Sequence, residues 1–357
     1  MPKGIRKIIL AAILGAMVYN ICLDSLQAAA AFDSEISAKS AIVLSADGRC
    51  VYEKNADERR LIASTTKLMT ALVAIELSRG DEVISVPDSC CGIEGTSIYL
   101  RPGQELRVDE LLEGLLLASG NDAAEALACG LCGSEEAFVA RMNAKAAELG
   151  LDNTAFANPH GLDAEGHYST ARDLARLMLV CMQNDRFAAV SAMRSCQLGE
   201  NYYVNHNKLL ERLSGCLGGK TGYTRAAGRC LVSCCERDGL RFVCVTLSDP
   251  DDWNDHIRLY EQAFAAWERR SVVSSAERYE IPLVMGQEEL ATASPARDFS
   301  LALPREEELE LVRELPLFAF APVREGEYAG RIVVLRGGEA IDEIPLLYNH
   351  TIPQAKE

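Results

Sequence analysis

The chain has 357 residues, 48% of them hydrophobic and 25% charged. That is the composition of a globular protein with ample material for a core, long enough for two domains at roughly 150 residues each. A formal net charge of -16 excludes nucleic acid and an anionic membrane surface as partners held by electrostatics. The absence of a Gly-rich phosphate loop ending in Lys-Ser or Lys-Thr leaves nucleotide chemistry without support.

Lys3, Arg6 and Lys7 open the chain with positive charge, and Ile8 to Val18 is a short apolar run. It falls below the about 20 residues of a membrane span. The small residues Ala28 to Ala31 follow, so residues 1–31 read as a secretory signal cleaved near Ala30 or Ala31. An exported, extracytoplasmic protein is therefore expected. Of thirteen cysteines, twelve lie between Cys50 and Cys244. Export permits disulfides, yet Cys230, Val232 and Cys234 share one face of an expected strand, as core substitutes would. Buried thiols, one or more disulfides, and a metal at the Cys129/Cys132 C-x-x-C all stay open; no second pair at zinc-ribbon spacing accompanies that one.

Ser40 to Tyr52 reads as a hairpin turning at Asp47-Gly48. Ser64 to Leu77 reads as a helix, with Leu68, Ala71, Leu72 and Ile75 at helical spacing and Ser64 at the N-cap. Further helices are expected over Val108 to Ala118, Asn121 to about Cys129, Glu135 to Leu149, and after Thr170, whose hydroxyl can cap toward Asp173. From Gly218 the period changes to two. Gly219 to Thr224, Gly228 to Glu236 and Leu240 to Leu247 read as strands, and Trp253 to Trp267 as a closing helix. Residues 32–270 thus read as an α+β domain, and 271–357, with short strand-like runs between Pro, Gly and acidic turns, as a small all-β domain. The last residues, from Ile352 on, hold no amphipathic helix to lie on a membrane.

Three short motifs carry chemistry. Ser64 and Lys67 lie one helical turn apart, and a lysine whose pKa falls toward neutrality can activate a serine. Ser119-Gly120-Asn121 places a proton-relaying hydroxyl beside an amide that can donate and accept. Lys220-Thr221-Gly222 sits on an expected strand, where Lys and Thr can bind a carboxylate and Gly admits a backbone close by. Any one of them is unspecific.

Together, 55 and 101 positions apart, the motifs resemble those of active-site serine penicillin-binding proteins and β-lactamases. Ser-Gly-Asn in the middle motif resembles the low-molecular-weight penicillin-binding proteins, the serine-type D-alanyl-D-alanine carboxypeptidases of peptidase family S11. So do Glu94-Gly95-Thr96-Ser97, Asn158-Pro159-His160-Gly161-Leu162-Asp163, His167-Tyr168-Ser169-Thr170-Ala171 and Asn207-Lys208-Leu209-Leu210. The resemblance covers roughly residues 35–350. It implies a β-lactamase/transpeptidase-like domain with helices on the faces of an antiparallel sheet, followed by the small β domain. It implies catalytic Ser64, Lys67 and Ser119, with Asn121, Lys220, Thr221, Gly222 and Tyr223 binding substrate. The backbone N–H groups of Ser64 and Tyr223 would form the oxyanion hole. The implied substrates are peptidoglycan stem peptides ending in D-Ala-D-Ala, β-lactams are covalent inhibitors, and no cofactor or metal is needed. A β-lactamase, a transpeptidase and a non-catalytic cell-wall binding protein remain alternatives, although no lactamase-type Glu base stands out. A Ser-His-Asp triad lacks a G-x-S-x-G elbow, and His160 reads as structural.

Overall fold

The computed structural model describes residues 35–356; the signal segment lies outside them. The chain divides into two compact units, one through Ala265 and one from Ala266. In chain order the first unit contains β1 (Ser40–Ser45), β2 (Cys50–Lys54), α1 (Lys67–Leu77), β3 (Val83–Ser85), β4 (Glu105–Arg107), α2 (Val108–Leu116), α3 (Asn121–Cys132), α4 (Glu135–Glu148), α5 (Ala171–Cys181) and α6 (Asp185–Ala192). The hairpin β5 (Ser195–Leu198) and β6 (Asn201–Val204) follows, then α7 (Leu209–Arg212), β7 (Cys216–Thr224), β8 (Gly228–Arg237), β9 (Leu240–Leu247) and α8 (Asp252–Ala266). The sequence had not marked α6 or the β5–β6 hairpin; both are short, and neither shows a sustained period.

The main sheet is antiparallel in the order β2-β1-β9-β8-β7. The first and last strands of the unit therefore meet, as β1 and β9, and β7 is left as an edge. Side chains of β8 and β9 alternate between two buried faces, which is why both strands are apolar almost throughout. Val232, Cys234, Val243, Val245 and Leu247 join the main core. On the other face Phe242 packs edge-on to Phe264 of α8, and α8's His256 and Tyr260 bond Ser233 at 2.8 and 3.0 Å. The alternation of Cys230 and Cys234 against Cys235 falls as the pattern predicted. All twelve cysteines among the described residues are free thiols.

Helix α1 runs through the core, with every residue from Lys67 to Ile75 buried. A helix buried all round has no solvent stripe, so the four apolar positions that marked it understate its burial. Thr170 caps α5, its hydroxyl accepting the Asp173 N–H at 3.1 Å; the reciprocal half of the expected capping box is replaced, because Asp173 Oδ2 accepts from Asn153 N and Thr154 Oγ1.

The second unit is all β: β10 (Trp267–Val273), β11 (Tyr279–Val284), β12 (Leu290–Pro295), β13 (Phe299–Pro304), β14 (Glu310–Glu314), β15 (Ala319–Phe320), β16 (Tyr328–Arg336) and β17 (Glu339–Tyr348). Six form a sheet in the order β14-β16-β17-β12-β11-β15, and β10 pairs with β13. Ile332, Val334, Ile344 and Leu346 point inward at every second position into a separate core. Trp267, expected to end the closing helix, instead begins β10.

Candidate active site

Ala63–Thr66 is a single 3-10 turn running directly into α1. Ser64 was expected as an N-cap, but it lies inside this turn and its side chain caps nothing. Ala63 enters the turn at φ 48°, a left-handed conformation that costs a non-glycine residue on the order of 1 kcal/mol or more and that surrounding structure must impose. Part of that surrounding is Gly161, at φ 91°, where a Cβ would lie 2.0 Å from the Ala63 carbonyl oxygen. Only glycine lets the two backbones cross there.

The Nζ of Lys67 lies 2.9 Å from Ser64 Oγ, 2.7 Å from Asn121 Oδ1 and 2.6 Å from the His160 carbonyl oxygen. Burial, and then the nearby Lys220, hold its pKa well below the ordinary lysine value. In its uncharged form, which burial favours, the amine has two N–H donors and one lone pair. Two of its three neighbours are carbonyl oxygens, which can only accept, so they take the donors and leave the lone pair for the Ser64 hydroxyl. Asn121 was expected to hold a substrate amide. Its Nδ2 donates to the Glu94 carbonyl at 2.6 Å while its Oδ1 faces Lys67, and the residue is buried.

The second Ser–Lys pair is Ser119 and Lys220. Ser119 holds φ 62° between α2 and α3, and its Oγ accepts from Lys220 Nζ at 2.9 Å. Lys220 also donates to the Thr221 carbonyl at 2.8 Å. Burial pushes the Lys220 pKa down to about 7. A direct grip of Lys220 on a carboxylate was expected, yet it stands behind Ser119, 1% exposed.

A cleft of about 900 Å³ opens over Ser64, Ser119, Thr221, Gly222 and Tyr223. Hydroxyls and strand backbone form its floor, and the two amines lie beneath. Gly222 has a local reason beyond admitting a ligand backbone: a Cβ there would lie 2.9 Å from Ser64 N and 3.1 Å from Ile62 O, so the bare backbone lets edge strand β7 press against the nucleophile turn. Tyr223, exposed, extends from the same strand. The opposite wall is the β6–α7 segment, including Tyr202, Asn205, His206 and Lys208.

Sequence reasoning assigned no role to several supports. Asp122 is fully buried and accepts from Ser97 Oγ at 2.6 Å, Ile98 N at 3.0 Å and Leu100 N at 2.9 Å. It thereby holds the 94–100 loop whose Glu94 and Thr96 carbonyls accept from Asn121. The only hint lay in its place beside Asn121 and in the Glu94-Gly95-Thr96-Ser97 stretch. Among the described residues no histidine ring bonds Ser64. His167 Nε2 is 2.8 Å from Thr66 Oγ1, and its Nδ1 accepts the Ala157 N–H at 3.1 Å. Glu125, Glu135 and His160 bring one possible ligand atom each within 4.8 Å of the others. However, His160 Nδ1 accepts the Leu162 N–H, so its Nε2 carries the ring proton and is no metal donor.

Residues 26–251 match the family profile described as D-alanyl-D-alanine carboxypeptidase, Peptidase S11. The D-alanyl-D-alanine carboxypeptidase DacF of Bacillus subtilis is 32% identical over 336 residues, which are 89% of this chain and 86% of that one. DacC of Escherichia coli is 29% identical, over 87% of this chain and 82% of its own. The crystal structure of DacD from Francisella tularensis superposes with a TM-score of 0.67 at 26% identity, covering 90% of this chain and 95% of that one. Penicillin binding protein 5 from Haemophilus influenzae gives 0.68 at 25% identity, with 90% and 99% covered. With a profile match across most of the unit that holds both Ser–Lys pairs, and relatives aligned through the second unit as well, this chain belongs to the S11 family of serine-type D-alanyl-D-alanine carboxypeptidases.

Proposed function

We propose that this D-alanyl-D-alanine carboxypeptidase works through an acyl-enzyme on Ser64 and acts outside the cytoplasm on peptidoglycan stem peptides ending in D-Ala-D-Ala. The observation that carries the assignment is the environment of Lys67: a buried amine 2.9 Å from the Ser64 hydroxyl, its pKa held well below the ordinary lysine value, with two carbonyl oxygens to take its N–H groups. Lys67 takes the Ser64 proton as Oγ attacks the carbonyl carbon of the penultimate D-Ala. The backbone N–H groups of Ser64 and Tyr223 bear on the oxyanion, each such donor contributing about 10²- to 10³-fold in rate. The C–N bond then breaks.

Ser119 supplies the proton to the leaving D-Ala amine. Its oxygen already accepts from Lys220, so its own O–H is free to point into the cleft, and Lys220 behind it can restore the proton. Thr221, at the cleft floor with Gly222, holds the terminal carboxylate, aided by positive charge on Lys220. Asn121 serves as the fixed acceptor for Lys67; once solvent in the emptied cleft has taken the proton that Lys67 accepted from Ser64 and has returned one to Lys220, Lys67 activates the water that frees the acyl group. β-Lactams present a strained amide to the same hydroxyl and remain on it.

The test is labelling by a fluorescent penicillin, together with D-Ala release from a D-Ala-D-Ala peptide. Ser64→Ala is expected to abolish both in a folded protein. Persistent labelling would place the nucleophile elsewhere, and penicillin turnover without D-Ala release would favour a β-lactamase.

A further inference from the structure

Helix α3 approaches Lys67 by two routes. The first is direct, through Asn121 in its opening turn. The second starts four residues later at Glu125, on the same helix face. Glu125 is only 6% exposed, and its Oε1 lies 3.3 Å from His160 Nε2. Burial holds the His160 pKa near 3, so the ring is neutral and the 3.3 Å approach of Nε2 to the carboxyl group is a polar contact, not an ion pair. The far side of the ring is fixed as well, since Nδ1 accepts the Leu162 N–H at 3.2 Å.

The carbonyl of that same His160 accepts from Lys67. Its loop is braced internally by Asn158, whose Oδ1 accepts the Gly161 N–H at 2.7 Å and whose Nδ2 donates to the Leu162 carbonyl at 2.9 Å. Thr70 of α1 donates to the Pro159 carbonyl at 2.6 Å. The imidazole ties this loop to α3.

We propose that Glu125 is a positioning residue for Lys67: by holding the His160 ring from α3, it sets the His160 carbonyl, so one helix places both oxygens that leave the Lys67 lone pair for Ser64. The inference rests on Lys67 being the base, as argued above. Glu125 itself bonds neither Ser64 nor Lys67 and does not line the cleft.

The charges around the two groups define what a pH profile reads. Lys67 is faced by Lys220 of β7, which lowers its pKa, by Asp122 of α3, which raises it, and by the neutral His160. Glu125 is faced by Glu135 and Glu136 of α4, with the Cys90 and Cys129 thiols nearby. A carbonyl acceptor stabilises an ammonium more than an amine. Displacing the His160 oxygen therefore lowers the Lys67 pKa while spoiling the aim of its lone pair.

The experiment uses the full chain and its Glu125→Gln and Glu125→Leu variants. Three quantities are measured between about pH 5 and 10: the acylation rate by a fluorescent penicillin, kcat and KM for D-Ala release, and the thermal midpoint. The Gln variant keeps an oxygen for Nε2–H and is expected to acylate within about threefold of the wild type. In the Leu variant kcat and acylation should fall roughly 10- to 100-fold, as small misplacements do, with KM nearly unchanged and the acid limb moved to lower pH. Loss of folded protein alone would lower the plateau without moving the limb. A Leu variant with wild-type rate and limb overturns the inference, as does a Gln variant no better than Leu. A wild-type chain that penicillin does not acylate would remove the underlying Lys67–Ser64 reading, and this inference with it.

Discussion

The Nζ of Lys220 lies 2.9 Å from Ser119 Oγ across 101 positions of chain, repeating at the cleft's other side the amine–hydroxyl distance of Lys67 and Ser64. Both amines are buried and both have lowered pKa values. In each pair the hydroxyl lies at the cleft surface and the amine behind it. Two such pairs allow one proton to be taken and another given without a histidine.

Lys220 should make stability depend on pH. Its pKa falls from 10.5 in the open chain to about 7 in the folded protein, so between those values the unfolded state binds more protons. Stability therefore rises with pH across that window, and the penalty for burying the amine is largest at and below about pH 7. Lys220→Met should raise the thermal midpoint most at about pH 6, with the gain shrinking toward pH 10, while D-Ala release is lost. Thermal melts of both proteins across that range check it; a gain that grows with pH would contradict the assignment.

Lys67→Met should leave a folded protein whose penicillin acylation is slowed about 10²- to 10⁴-fold, the usual contribution of a positioned base. Stopped-flow labelling measures it. The wild-type rate should climb with pH through a limb lying well below 10.5, because burial and Lys220 disfavour the ammonium form, and the Met variant should lose that limb.

The two glycines packed against the nucleophile turn should differ. Gly161→Ala places a Cβ 2.0 Å from the Ala63 oxygen at φ 91°, so backbone must move. Gly222→Ala meets Ser64 N at 2.9 Å without unusual φ. We expect Gly161→Ala to cost about 3 kcal/mol or more in denaturant unfolding and Gly222→Ala about 1–2 kcal/mol. The Gly222 change should still slow acylation roughly tenfold or more, since it moves β7 from Ser64.

Asp122→Ala leaves the buried Ile98 and Leu100 N–H groups without their acceptor. A loss of about 3 kcal/mol is expected, at a cost of 1–3 kcal/mol for each unsatisfied group. Release of the 94–100 loop frees Asn121 from the Glu94 carbonyl, so acylation should fall further than the folded fraction does. Unfolding curves and labelling rates on one preparation separate the two effects.

The chain order of the three motifs, the apolar periods of α5, β8 and β9, the α+β division and the all-β tail were legible in the residues themselves. They depend on local spacing, which a linear text preserves. Tertiary structure decided what those residues face. Ser64 reads locally as an N-cap and is not one, because Gly161 and β7 confine its turn. Asn121 reads as a substrate ligand, and the fold adds that its amide bridges the Glu94 carbonyl and Lys67. Lys220 reads as a cleft residue and lies beneath it. The lowered pKa values of both lysines also come from folding, since desolvation arises only when segments distant in sequence close over an amine.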